Sequence, residues 1–234
     1  TRQMTPYMEQ WKKRGFIPDG IYIGFLSDEK QADKILKFMD LFAGEETLIL
    51  TDPVMGDDGE VYPIYTEGLR SRFRELVSRS YVITPNLTEA LLLLYGKEEM
   101  EKKWKVLETM PEAERLEKIQ EIGQRLVLEF SLSAVVITGV NYRENSQTPK
   151  MGNLVLEKEK VSWVFAEKSG GSYSGTGDLF ASVLSAGLVK GYSMETCAHM
   201  AVEFISTSIR DAVSEGTDRN DGVCFEAHLG MLLS

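Results

Sequence analysis

Long apolar runs, cysteine, histidine and excess basic charge are all scarce in this 234-residue chain. No stretch approaches the ~18 consecutive apolar residues that read as a membrane span, so no membrane partner is expected. No signal-peptide pattern opens the sequence. The two cysteines, Cys197 and Cys224, and two histidines, His199 and His228, form no CxxC or other zinc-ligand spacing. So few thiols fit a reducing cytoplasm, the expected location. The formal net charge of −10 argues against nucleic-acid binding, which needs a basic surface. It leaves a nucleotide open, because a small phosphate ligand is held by local N–H groups and metal ions.

What is present is an α/β pattern. The apolar fraction, 43%, suffices for a sizeable core, and residues 1–234 are expected to form one domain. Ile21–Leu26, Thr47–Thr51, Tyr81–Thr84 and Ala134–Thr138 read as buried strands, the last closed by Gly139. Amphipathic stretches alternate with them. Ser27 is the expected cap of a helix over 28–42, and helices are expected over 66–80, from Asn86 through Leu94, and over 98–130 with a break at Pro111. Asp57-Asp58-Gly59 signals a small hairpin with 61–65. Residues 141–150 read as a polar loop, 153–156 and 161–165 as antiparallel strands, and 175–190 and 193–213 as two helices. The alternation predicts a three-layer αβα sandwich with a mainly parallel sheet. The chain begins at Thr1, and residues 1–11 read as the middle of a helix with Met4, Tyr7, Met8 and Trp11 on one face, so upstream sequence is expected.

The most informative stretch is Ser169-Gly-Gly-Ser-Tyr-Ser-Gly-Thr-Gly-Asp178. Glycines let backbone N–H groups approach a phosphate, and a helix start favours negative charge. Asp178 alone reads as an acid complementing a helix dipole. Its neighbours favour a general base, with Gly175, Thr176 and Gly177 stabilising charge on a transferring phosphoryl group. Parallel strands would bring three further polar ends to the same edge: Asp52-Pro-Val-Met-Gly-Asp57, Thr84-Pro-Asn86-Leu-Thr-Glu89 and Thr138-Gly139. Taken singly, Asp52 and Asp57 read as turn residues, and Asn86 and Glu89 as a cap and first-turn acid. Together they suit hydrated Mg²⁺ near ATP phosphates, since Mg²⁺ keeps several waters. His199, His228, Met194, Met200 and Phe204 read as core or surface. Asp218–Gly222 fails as a calcium loop, and the charged run over 98–118 reads as a solvated helix face.

Gly175-Thr-Gly-Asp178 with Phe180-Ala-Ser182, Asp52-Pro-Val-Met-Gly-Asp57, and Ile83-Thr-Pro-Asn86 with Glu89 occur in the order and spacing of the ribokinase superfamily. Within it the chain most resembles pyridoxal kinases of the bacterial type. That resemblance implies a ribokinase-like fold and ATP-dependent phosphorylation of the 5′-hydroxyl of pyridoxal, pyridoxine or pyridoxamine. It implies Asp178 as catalytic base beside the substrate, and Gly175, Thr176 and Gly177 as anion hole. Asp52, Asn86, Thr138 and Thr176 would serve ATP, and Asp57, Glu89 and Thr84 the metal. Phe25 and Tyr62 fall near positions of the vitamin pocket or its flap. The implied cofactors are ATP, Mg²⁺ and a monovalent cation, K⁺ or Na⁺. The implied assembly is a homodimer. Members of this family begin with a strand and a substrate-contacting loop, which would lie before Thr1 and which the present sequence is expected to lack.

Two alternatives stand beside it. Hydroxymethylpyrimidine kinases of thiamine synthesis share the fold and the Asp-Pro-Val-Met segment. They usually carry a lysine and further glycines after the strand at 135–138, and often Cys in place of Asp178; Thr138-Gly139-Val140 and Asp178 favour the first reading. A non-catalytic nucleotide- or vitamin-binding protein would tolerate loss of the base, which is present.

Overall fold

The computed structural model describes residues 2–143, 148–158 and 160–233. Thr1 and positions 144–147 of the expected polar loop lie outside the described residues. In chain order the elements begin with α1 (Met4–Lys13), β1 (Gly20–Ile23), α2 (Glu29–Phe42), β2 (Leu48–Thr51) and the short pair β3 (Gly56–Asp57) and β4 (Glu60–Val61). Then come α3 (Glu67–Val77), β5 (Val82–Ile83), α4 (Leu87–Tyr95), α5 (Lys97–Thr109) and α6 (Glu112–Phe130). The chain closes with β6 (Ala134–Tyr142), β7 (Lys150–Glu157), β8 (Lys160–Glu167), α7 (Thr176–Val189), α8 (Met194–Glu215) and a final 3₁₀ turn at Glu226–Leu232.

One six-stranded sheet runs β1-β2-β5-β6-β7-β8. The first four strands are parallel and the last two join antiparallel. Side chains alternate across it, as the strand period requires. Ile21, Ile23, Ile49, Ile83, Val135 and Ile137 pack on one face with α2 to α6. Leu50, Val82, Ala134, Val136, Val155 and Val164 pack on the other with α7 and α8. The expected three-layer sandwich is therefore present. The buried Leu91-Leu92-Leu93 run gives α4 no polar face, so it forms the middle of its layer.

Three expectations are corrected. Ser27 does not cap α2; its backbone N–H and hydroxyl both donate to the Gln31 side chain, and Asp28 caps instead, accepting from the Gln31 N–H at 2.8 Å. Gly139 does not close β6. Pairing with β7 carries the strand to Tyr142 across a register shift between Ile137 and Val140, where Gly139 adopts φ +71°. The hairpin is tighter than expected, with Gly56 opposite Val61 and Asp57 opposite Glu60.

Candidate active site

The carboxyl ends of β1, β2, β5 and β6 converge at one edge, where the loop before α7 also arrives. A cavity of about 340 Å³ lies there. Its lining includes Asp52, Asp57, Tyr62, Thr84, Asn86 and Glu89, then Thr138 and the run from Gly175 to Asp178. Of the site residues expected from sequence, only Phe25 is outside the lining; it lies past the end of β1 and is 56% exposed.

Local rules place most of these groups. Gly175 is the N-cap of α7 at φ +82°, ψ 0°, with no side-chain cap bond. That left-handed geometry costs an L-residue roughly 1–2 kcal/mol, so glycine suits it. The first α7 N–H groups therefore lie at the cavity wall without a side-chain cap, and Asp178 sits exposed in that first turn. Thr176 is less free than a pure ligand group, since its hydroxyl donates to the Tyr173 carbonyl at 3.1 Å. Across the cavity, Asn86 and Glu89 form a capping box on α4. The other end of the Asn86 amide donates to the Gly56 carbonyl at 2.8 Å, and Thr88 Oγ1 accepts from the Gly59 N–H at 2.8 Å. Helix α4 thus holds the β3–β4 hairpin and, with it, Asp57 and Tyr62 over the site.

The electrostatics are dominated by unopposed acids. Burial, then the nearby Asp178 carboxylate, pushes Asp52 up to about 7. Thr84 lies close enough to offset part of that rise, yet its Oγ1 is buried without a partner in hydrogen-bonding geometry. Glu89 is held well above the ordinary carboxylate range by burial and by Asp52, despite accepting from the Asn86 and Met55 N–H groups. Asp57, reachable from solvent, is raised by partial burial and by Asp58. The Tyr62 phenol is pushed up to about 12, first by burial, then by Asp57 and Glu89. Among the described residues, no neighbouring cation stands among the causes acting on Asp52, Asp57 or Glu89. Among the described residues no three His, Cys, Asp or Glu side chains converge as a closed metal-ligand set. An orphaned hydroxyl beside desolvated, mutually repelling carboxylates is a donor set suited to a hydrated cation that keeps most of its waters.

Sequence reasoning missed two parts of the site. Val202, Ile205, Ser206 and Ile209 of α8 line the cavity, while Ala201, Phe204, Ser208 and Ala212 carry that helix's buried face. Their i, i+3, i+4, i+7 spacing was the available signal, but it reads equally as core. Tyr22, on β1, donates its hydroxyl to Asp178 Oδ1 at 3.0 Å; nothing local marks a contact between residues 156 positions apart.

The fold and this strand-end site define a ribokinase-like chain. The family model described as phosphomethylpyrimidine kinase matches residues 13–222, and the chain belongs to that family. It is similar to a pyridoxine/pyridoxal/pyridoxamine kinase of Bordetella avium, 26% identical over 204 residues that cover 85% of this chain and 63% of the relative. A pyridoxine kinase of Bacillus subtilis is 29% identical over 168 residues, 70% of this chain and 54% of the relative. The chain thus spans less than two thirds of the length of either curated relative. Among solved structures, a Bacteroides thetaiotaomicron protein provisionally assigned as a phosphomethylpyrimidine kinase is 27% identical. It covers 100% of this chain and 75% of its own, with a TM-score of 0.86 in its rhombohedral form. Its orthorhombic form, with pyridoxal, gives a TM-score of 0.84 at 27% identity, covering 100% of this chain and 77% of its own.

Proposed function

We propose that this chain carries the phosphoryl-transfer half of a vitamin B6 kinase, moving the γ-phosphoryl of ATP to the 5′-hydroxyl of pyridoxal, pyridoxine or pyridoxamine. The observation that carries the reading is the convergence of Asp178, Asp52, Thr84 and Glu89 with the uncapped start of α7 on one cavity. ATP is the phosphoryl donor, and Mg²⁺, when bound, would supply charge stabilisation to the phosphates. Asp178 accepts the hydroxyl proton as the hydroxyl oxygen forms its bond to phosphorus. The bond from phosphorus to the bridging oxygen breaks, and ADP leaves with that electron pair. Backbone N–H groups of Gly175, Thr176 and Gly177 stabilise charge on the transferring group. Asp57 and Glu89 would hold Mg²⁺, and Asp52 and Thr138 would stand on the nucleotide side. The orphaned Thr84 hydroxyl suits a bound cation, including the K⁺ or Na⁺ of the family resemblance. Asn86 serves by position, because each end of its amide is already engaged. Tyr62, on the flap, faces the vitamin; Phe25 belongs to this reading by resemblance alone.

Phosphorylation of hydroxymethylpyrimidine is the second reading, favoured by the description of the matching family model. Asp178 and Thr138-Gly139 favour the first. The reading includes a cytoplasmic homodimer, which fractionation and sedimentation test. The activity is tested by ADP formation with Mg²⁺-ATP and each of four acceptors, the three B6 vitamers and hydroxymethylpyrimidine. Vitamer-dependent ADP formation is expected. Turnover confined to hydroxymethylpyrimidine contradicts the first reading.

A further inference from the structure

The edge strand β1 and the first turn of α7 are joined by a hydrogen bond from Tyr22 Oη to Asp178 Oδ1 at 3.0 Å. A carboxylate has no proton to give, so the phenol is the donor. Two glycines of this segment make the approach possible. A Cβ at Gly20 would stand 2.7 Å from Val189 Cγ2, so β1 lies close along the far end of α7. A Cβ at Gly24 would stand 2.9 Å from Tyr22 Oη and 3.6 Å from Asp178 Oδ1. Any side chain at Gly24 would crowd the pair. The helix is therefore set against β1 at its C-terminal end by close packing and at its N-terminal end by this bond. The Tyr22 phenol is pushed far up by burial, then by Asp52 and Asp178, which keeps it protonated and donating through the working pH range.

We infer that Tyr22 is a positioning residue for Asp178: it occupies Oδ1 and presents Oδ2 to the acceptor hydroxyl. The inference rests on the proposed kinase reading for its consequence, though not for the contact itself. An aspartate in a solvent-exposed first turn has several open rotamers. A charge-assisted bond to a phenol anchored in a strand selects one of them. Orientation of a reacting group is worth large factors in rate, and it acts in the transition state rather than in binding.

The test is a double-mutant cycle with Tyr22→Phe and Asp178→Ala, read as kcat and KM at saturating Mg²⁺-ATP. Phenylalanine keeps the ring packing and removes only the hydroxyl. Tyr22→Phe should lower kcat roughly tenfold in the wild-type background, with both KM values within about twofold. In the Asp178→Ala background it should change nothing. An equal loss in both backgrounds, or a change confined to KM, overturns the inference, because a merely structural tyrosine acts regardless of Asp178. The contact has a readout that needs no activity. With tyrosine labelled at the ζ carbon, the Tyr22 resonance is assigned by its absence in Tyr22→Phe. Asp178→Ala should move that resonance more than those of the other tyrosines; an unmoved resonance overturns the contact. A wild-type protein inactive on every vitamer defeats the kinase reading while this spectroscopic result still decides the contact.

Discussion

Asn86 and Glu89 close each other's bonds at the start of α4. Asn86 Oδ1 accepts from the Glu89 N–H at 2.9 Å, and Glu89 Oε2 accepts from the Asn86 N–H at 2.9 Å. The other carboxylate oxygen accepts from the Met55 N–H at 3.2 Å. One buried side chain thus ties the β2 end to the β5 end in surroundings that oppose its charged form. The arrangement separates a structural role, the accepted bonds, from an electrostatic one, the charge.

Two substitutions remove the charge and keep different shares of the accepted bonds. Glu89→Gln keeps the shape and one acceptor oxygen but turns its amide NH2 toward one of the two N–H groups, so it should lower the melting temperature, by less than Glu89→Ala. Glu89→Ala strands two N–H groups and should cost about 1–3 kcal/mol. Both should raise the Mg²⁺ concentration needed for half-maximal activity, by at least about tenfold if the charge attracts the ion through its waters. Thermal melts and Mg²⁺ titrations check this. An unchanged Mg²⁺ requirement in Glu89→Gln removes Glu89 from the metal side of the account.

Asp52 gives the protein a pH signature. Its carboxyl rises from an ordinary value of 3.8 to about 7 on folding. The folded chain then holds this proton more tightly than the unfolded chain. Stability from Asp52 is full below about pH 4 and is lost as pH rises through about 7. In metal-free buffer, Asp52→Asn should therefore gain on the wild type in melting temperature between pH 5 and pH 8. Each kcal/mol gained corresponds to roughly 2–4 °C for a chain of this size. Melts at a series of pH values check it; parallel curves for the two proteins contradict it. The same variant should lose most of its turnover.

Gly175 at φ +82° has open space where a Cβ would stand. Gly175→Ala should therefore cost backbone strain alone, about 1–2 kcal/mol, and reduce turnover by shifting the first α7 N–H groups. Gly171→Ala, also in open space and without a positive φ, should leave stability unchanged. Equal melting temperatures for the two variants contradict the strained-cap account.

Asp178→Ala should lower turnover by about 10²–10⁴-fold, the range for loss of a general base. Calorimetric ATP affinity should stay near that of the wild type. Full turnover in the variant excludes Asp178 as the base, whatever the substrate.

The site was most legible where local chemistry sufficed. Asn86 as cap with Glu89 three residues on, and Gly-Thr-Gly-Asp before an apolar run, are short-range patterns with one good structural solution. The convergence of strand ends followed from the parallel α/β pattern. Non-local pairing was less legible. Gly139 looks like a strand terminator, but β7 pairs beyond it and absorbs it into a bulge. Strand β5 is regular only over Val82–Ile83, although the Tyr81 and Thr84 N–H groups still donate to the β2 carbonyls of Ile49 and Thr51. The bond from Tyr22 to Asp178 depends on how closely β1 lies against α7, a distance set by Gly20 and Gly24 together. The α8 wall of the cavity carries the same spacing as a buried stripe, so the sequence does not tell the two apart.

The most direct measurement is a competition. The protein is given Mg²⁺-ATP with equimolar pyridoxal and hydroxymethylpyrimidine, and the products are identified by mass spectrometry and ³¹P NMR. The account predicts pyridoxal 5′-phosphate as the main product, lost in Asp178→Ala. Phosphorylated hydroxymethylpyrimidine as the main product, or pyridoxal phosphate formed equally well by Asp178→Ala, contradicts it.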